Sequence, residues 1–258
     1  LPSPAVVRSV NDKAFAHRAA VRHGLLPEPI APLFEVFEPE ALEPARLRER
    51  VDRLPTWVGR DWVLKPRHGS SGRGRVRRLQ DLAGARERLK QRGGAIFEPW
   101  LRRVGDLSAL LHLGPAGQIT WIGTTRQILR GAGVYQGSRG LLTEAGELRA
   151  GTPWDETLRQ AALALAAEAS AAGYFGPMGI DAFVFEGPDG TPLLRPVVEV
   201  NARFTMGIVA AGLLLRAREV GLVCGPATWT FSVTGLEEGL KRLRLGERIR
   251  LGFEPLPA

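Results

Sequence analysis

A single cysteine, Cys224, occurs in 258 residues, so no disulfide can close within the chain and a reducing compartment suits it. The cytoplasm is the expected location. Long apolar runs are missing too. The longest one near the C-terminal end, Ile208 to Leu215, is broken by Gly212 and is far shorter than the about 20 residues a bilayer requires, so no membrane span is expected. Leu1 to Val10 lacks the basic start and apolar core of a secretion signal. Aromatic residues make up 7%, and the arginine-rich stretch Arg73 to Arg78 has no interleaved rings on which bases could stack. A solvated basic face is therefore expected rather than a nucleic-acid site, although 35 Lys and Arg against 27 Asp and Glu give a formal charge of +8. His17, His23 and His112 have no metal-ligand spacing, and no Ser-His-Asp or Cys-His set is visible. Lysine is scarce as well, with four residues: Lys13, Lys65, Lys90 and Lys241. Where a chain fills most cationic positions with arginine, the compact ammonium becomes a candidate for a specific task.

The composition that remains, 44% hydrophobic and 24% charged, is that of a globular protein and excludes disorder and collagen-like repetition. At roughly 100–200 residues per domain, the length allows one large domain or two lobes sharing a cleft. Ser9 or Asn11 can cap a helix through residues 12–21 that ends near Gly24. Strands are expected at residues 34–37, 61–65 and 95–98, with a polar helix at 40–53 and a charged one from Asp81 to about Gln91. Beyond Asp106 the texture is strand-rich, with residues 107–113 and 118–125 joined at Gly114 to Gly117. Gly131 to Gly140 reads as a glycine-rich loop, 155–172 as an alanine-rich helix, and 179–185 and 193–201 as a hairpin turning at Gly187 to Gly190. Residues 205–216 and 236–245 read as helices and 228–233 as a strand. This interleaving fits an α+β fold of two lobes with antiparallel sheets, residues 1–100 and 101–258, rather than a parallel Rossmann sheet.

The hairpin carries the sharpest chemistry. With Gly190 at its tip, Asp181 falls opposite Glu199, and Asn201 shares a strand face with Glu199 because side chains alternate with period two. Two carboxylates and an amide oxygen among apolar neighbours repel one another unless a cation lies between them. Mg²⁺, which combines a few carboxylates with substrate phosphates, is the natural occupant. An exposed face whose acids pair with arginines remains an equal reading of the hairpin alone. Arg203 follows at the next alternate position, suited either to a salt bridge with Glu199 or to a transferring phosphoryl group. A second feature is Lys65, at a strand end, leading into a loop with Gly69, Ser70, Ser71, Gly72 and Gly74, where amides and hydroxyls could cover phosphates. It matches neither the Walker nor the Rossmann spacing, and an exposed turn is the bland alternative. A third is Glu98-Pro99-Trp100-Leu101, a strand running into a stiff connector that could offer backbone groups to a purine edge. Asp106 then stands within reach of ribose hydroxyls. Lys13 lies at a helix start, where the dipole disfavours a cation unless an anion is near.

In this order, from Ser9 to about Leu245, these pieces resemble the ATP-grasp superfamily of the carboxylate–amine/thiol ligase type. The resemblance implies two α+β lobes with the nucleotide between them, Lys13 and Lys65 on its phosphates and the Gly69 to Gly74 loop as a mobile cover. It further implies Glu98 to Leu101 as the adenine hinge, Asp106 near ribose, and Asp181, Glu199 and Asn201 as ligands for one or two Mg²⁺ ions, with Mn²⁺ as a substitute. The implied reaction is phosphorylation of a carboxylate by ATP to an acylphosphate that an amine attacks, giving ADP and phosphate, as in amino-acid or peptide ligases. Arg203 and Arg126 are the expected catalytic cations, with Tyr135 and Arg139 shaping the acceptor pocket. The expected partners are small carboxylates and amines, with a homodimer as a candidate assembly. Two alternatives are a kinase that phosphorylates a hydroxyl and a non-catalytic nucleotide-binding module. Two features depart from the pattern. The superfamily's usual N-terminal domain has no counterpart, since about ten residues precede Asn11, and Gly179 stands where some ligases place an arginine.

Overall fold

The computed structural model describes all residues except 60, 70–72, 132, 234–240, 245–249 and 257–258, with the backbone alone at 241–244. Two sheets organise the chain. The smaller contains β1 (Glu35–Phe37), β2 (Trp62–Pro66) and β3 (Ala95–Pro99) in the order β1-β3-β2, all antiparallel. Helices α3 (Pro44–Asp52) and α4 (Leu82–Gln91) cover it, burying Leu47, Val51, Leu82, Ala85 and Leu89 against Phe37, Leu64 and Phe97. The apolar positions of α4 recur at helical spacing, so one stripe faces the sheet.

The larger sheet is built from β4 (Arg103–Leu113), β5 (Ile119–Arg130), β6 (Val134–Leu142), β7 (Leu148–Arg149), β8 (Gly176–Glu186), β9 (Pro192–Asn201), β10 (Ala227–Ser232), β11 (Lys241–Arg244) and β12 (Arg250–Pro255). Its order is β11-β12-β10-β6-β7-β5-β4-β8-β9, antiparallel apart from one contact between β5 and β7. On β4 the pleat separates two environments. Leu107, Ala109 and Leu111 enter a core with α5 (Asp155–Ala171), while Leu110 packs under α6 (Met206–Glu219). Leu158, Ala161, Ala162, Leu165, Ala166 and Ala169 of α5 are fully buried, and alanine lets the helix lie close to the strands. Ile30, Leu33 and Phe34 form a wedge with Leu101, Phe183 and Phe185 where the two sheets meet.

Several expectations are corrected. Residues 4–10 form a first helix, α1 (Pro4–Val10), and Asp12 rather than Ser9 or Asn11 caps α2 (Lys13–Arg22), its Oδ1 accepting from the Ala14 amide at 2.8 Å. A boundary at residue 100 would place both helices with the small sheet. Instead Val10, Ala16, Ala19 and Ala20 are fully buried in the core of the large one, because the alanine face of α2 fits against β9 and α5. The glycine-rich stretch 131–140 is largely β6. Glycine is needed there for close approach, since a Cβ on Gly137 would collide with the Phe231 carbonyl of neighbouring β10. Of the helix expected at 236–245, residues 241–244 are a strand paired with β12, and 236–240 and 245 lie outside the described residues. Among the described residues no helix is long and apolar enough to cross a membrane.

Candidate active site

Between the sheets lies a cleft of about 430 Å³, bordered by Lys13, Lys65, Gly69, Asp181, Glu199 and Asn201. It continues into a second hollow of about 870 Å³ beside Trp100 and Leu101, with Asp106 and Arg103 on the shared border. The hairpin sets the floor. Register pairs Asp181 directly with Glu199 and Gly179 with Asn201, and an irregularity follows between Asp181 and Phe183. Asn201 donates from Nδ2 to Asp181 Oδ2 at 3.0 Å and accepts at Oδ1 from Arg203 at 2.7 Å. Gln127 Nε2 and Ser108 Oγ donate to Asp181 Oδ1 at 2.7 and 3.3 Å. Even so, burial, and then the neighbouring Glu199 charge, pushes the Asp181 carboxyl up to about 6. Two hard carboxylates in register with an amide oxygen beside them are donor types that fit Mg²⁺; Asp181 is held by neutral donors, while Glu199 is paired with Lys13 and the Asn201 oxygen with Arg203. Among the described residues no three His, Cys, Asp or Glu side chains cluster as a metal cage, so a cation here relies on Asn201 and on phosphate oxygens.

Lys13 spans the cleft wall. Its Nζ stands 3.0 Å from Glu199 Oε2 and donates to the Gly69 carbonyl at 2.8 Å, which offsets its poor position at the start of α2. Asp12, just before it, accepts from Arg67 Nη2 at 2.6 Å. Burial would raise its carboxyl, but Arg67 and the Ala14 amide outweigh burial and hold it below the usual range. Asp12 therefore caps α2 and anchors the start of the glycine loop together. Asn11 Oδ1 accepts from the Ala202 amide at 3.0 Å and fixes the turn that presents Asn201 and Arg203.

Lys65 is 4% and Glu98 2% exposed, and their side chains meet at 2.5 Å. Burial lowers Lys65 to about 8. Burial would raise Glu98, but Arg195 and Lys65 hold it well below the carboxylate range. Arg195, which the sequence reading missed, donates from Nη1 and Nη2 to Glu98 at 2.9 and 3.1 Å. At the expected hinge, several groups already have partners. The Glu98 carboxylate is committed to two cations, the Trp100 amide donates to the Asp61 carbonyl at 2.9 Å, Pro99 has no N–H, and Leu101 is buried in the inter-sheet wedge. Asp106 accepts from Arg103 at 2.8 Å on the cleft border.

Two catalytic expectations differ in outcome. Arg203 borders the cleft. Arg126 does not reach it, because Thr125 and Gln127 point into the cleft and alternation sends Arg126 to the other face of β5. There it donates to the carbonyls of Ala150 and Gly151 at 2.7 and 2.5 Å, just before α5. Tyr135 borders the cleft and bonds Ser138 Oγ at 2.7 Å, burial raising its hydroxyl to about 12, whereas Arg139 is exposed. Ser70, Ser71 and Gly72 lie outside the described residues. Gly179 cannot be an arginine here, since a Cβ would come within 2.8 Å of Thr205 Cγ2, and Thr205 caps α6 through the Ile208 amide.

No family model matches the sequence, and no curated protein does either. Solved structures are similar. The biotin carboxylase domain of the Hydrogenobacter thermophilus 2-oxoglutarate carboxylase, with MgADP, ADP and bicarbonate, is 13% identical over 98% of this chain and 64% of that one, with a TM-score of 0.60. N5-carboxyaminoimidazole synthetase from Staphylococcus aureus, complexed with ADP, is 13% identical over 87% of this chain and 56% of that one, TM-score 0.58. N5-carboxyaminoimidazole synthase from Aspergillus clavatus, with ADP and 5-aminoimidazole ribonucleotide, is 18% identical over 92% and 60%, TM-score 0.52. The chain spans less than two thirds of each. Together with the two-lobed architecture, these likenesses show an ATP-grasp fold.

Proposed function

We propose that the chain is an ATP- and Mg²⁺-dependent, ADP-forming ligase that activates a carboxylate as an acylphosphate and joins it to an amine. The observation that carries this reading is the convergence of Asp181, Glu199 and Asn201 on one cleft that also receives Lys65 from the small sheet and Lys13 from the start of α2, beside Glu199. The neighbours' ADP, magnesium and bicarbonate support the same class of chemistry.

In this reading the nucleotide enters with its base toward Trp100 and Leu101, Asp106 near the ribose and the phosphates toward Lys65 and Lys13. Mg²⁺ held by Asp181, Glu199 and the Asn201 oxygen would neutralise phosphate charge and align the γ-phosphate. Lys13, tied to Glu199 and to the loop carbonyl of Gly69, fixes the loop over the phosphates. Arg203 faces the carboxylate substrate and draws off the charge that develops as its oxygen attacks the γ-phosphorus and the β–γ bridge bond breaks. ADP then leaves the acylphosphate, whose acyl carbon takes the amine as the phosphate departs. Half-buried Gln127 and buried Ser108, both donating to Asp181 Oδ1, hold its carboxyl in place. Cleft walls shield the acylphosphate from water.

Hydroxylamine trapping tests the reading. Incubated with Mg·ATP and a panel of amino acids and small carboxylates, the wild-type protein is expected to release ADP and yield a hydroxamate, and Glu199→Gln neither. ADP formation with a phosphate ester and no hydroxamate would instead establish the kinase outcome.

A further inference from the structure

Arg195 takes no part in the chemistry above, yet among the described residues no cation is more deeply buried, at 2% exposure. It lies on β9 of the large sheet, whereas Lys65 and Glu98 lie on β2 and β3 of the small one. Its place is fixed independently of Glu98, since Nε donates to the Val197 carbonyl at 3.1 Å and the guanidinium lies over Phe34 at 4.4 Å and Phe183 at 5.5 Å. From there the planar fork takes both oxygens of Glu98, while Lys65 touches Oε2 alone. The cluster holds two cations and one carboxylate, so a positive charge is left over, and Lys65 borders the cleft.

Without Arg195, Lys65 and Glu98 would be a closed neutral pair in a low-dielectric setting, and drawing the ammonium away would strand a buried carboxylate. With Arg195 satisfying that carboxylate bidentately, the single Lys65 contact can be given up to another anion at little cost. We propose that Arg195 is a positioning residue that holds Glu98 from the opposite lobe and so leaves the Lys65 ammonium available to a phosphate oxygen of a nucleoside triphosphate. The proposal rests on the nucleotide reading of the cleft. The groups that face Lys65 are Glu98 on β3, Arg195 on β9 and Arg103 on β4, and Arg75 borders the same cleft. His17 of α2 faces Arg195 and Glu98, and burial, then Arg195, lowers its pKa, so it stays neutral from pH 7 upward.

The test is calorimetric binding of a β,γ-imido ATP analogue with Mg²⁺ between pH 7 and 9.5. Arg195→Met is expected to weaken binding at least tenfold at pH 7.5. The double variant Arg195→Met with Glu98→Gln, which removes the competing carboxylate, is expected to recover to within threefold of wild type. A structural role would make the double variant no better than the single one, and that result, or unchanged binding in Arg195→Met, overturns the proposal. If wild type fails to bind the analogue at any pH, the nucleotide reading falls, and ¹³C NMR of Lys65, one of four lysines, decides the role of Arg195 separately. Its titration midpoint, expected near 8 in wild type, should rise by at least one pH unit in Arg195→Met; an unmoved midpoint refutes the proposal without reference to nucleotide.

Discussion

Two charged clusters face each other across the cleft, and they are built on opposite principles. Lys65, Glu98 and Arg195 form a buried set in which the carboxylate has both oxygens taken at 2.5 to 3.1 Å. Asp181, Glu199 and Asn201 form a partly open set in which two acids sit in register and one is held protonated up to about pH 6. The first cluster has a surplus of positive charge, whereas in the second Glu199 is paired with Lys13 and Asp181 is held by the neutral donors Ser108, Gln127 and Asn201. A ligand that satisfies both must carry anionic groups and a hard cation together, as a metal–triphosphate complex does. The contrast also separates architecture from chemistry. Removing Glu98 from the first cluster strands two buried cations and damages the fold, whereas neutralising Asp181 in the second relieves its repulsion with Glu199 and damages function.

The largest effect should follow from Glu98→Ala, which leaves Lys65 and Arg195 buried and unopposed. Removing one partner of such a set costs about 3–5 kcal/mol, readable as a shift of the urea unfolding midpoint, and a loss below 1 kcal/mol would mean that water reaches the cluster. Lys65→Ala and Glu199→Gln come next, each reducing ATP turnover by a factor of about 10²–10³ with the far-UV spectrum unchanged. Turnover near wild type in either would erase the distinction between the clusters.

Asp181→Asn should act in the opposite direction on stability. A carboxyl raised to about 6 from the ordinary aspartate value of 3.8 is costly to ionise in the folded state. That cost is absent below about pH 4, builds between 4 and 6 and is complete above. In metal-free buffer at pH 7.5 the variant should therefore be more stable than wild type by on the order of 1 kcal/mol, and the gain should vanish at pH 4. A loss of stability at pH 7.5 would show that the acids are already compensated. Lys65 gives the second pH signature. Lowered to about 8 by burial, it loses its charge as pH rises through 8, so nucleotide affinity should fall there. Folded-state stability should rise between 8 and the unfolded lysine value of 10.5, because the unfolded chain binds the extra proton. The smallest effect belongs to Arg126→Ala, with turnover unchanged and about 1–2 kcal/mol lost from two charge-assisted bonds to backbone carbonyls. A drop in turnover with no change in stability would return Arg126 to the reaction.

The second cluster was legible in the sequence because its members lie on one hairpin, where the turn at Gly190 and period-two alternation fix which side chains meet. Lys65 was legible for a similar reason, beside an obvious strand boundary, whereas Asp106, expected just before a strand, lies inside β4, which begins at Arg103. Arg195 was not. Its partner Glu98 is 97 residues away, and the strand pairing shifts beside it. A signal was present nonetheless, since an arginine inside the otherwise apolar run Leu193 to Val198 must find a buried partner. The cap Asp12 was missed because residue 12 was taken as the first residue of the helix, which left Ser9 and Asn11 as its capping residues. Arg126 failed as a candidate because assigning a residue to a strand does not say which face it occupies. Its neighbours Thr125 and Gln127 take the cleft side. The strand β6 was hidden by glycines that serve close packing against β10 rather than turns.

The central claim is that the β8–β9 ribbon chelates a divalent cation under the nucleotide. Water-proton relaxation enhancement by Mn²⁺, titrated in the presence of a saturating β,γ-imido ATP analogue, tests it most directly. The account predicts one or two tight Mn²⁺ sites in wild type, weakened at least tenfold in both Asp181→Asn and Glu199→Gln and unaffected in Arg126→Ala. Equal Mn²⁺ affinity in wild type and in both acidic-site variants would contradict it.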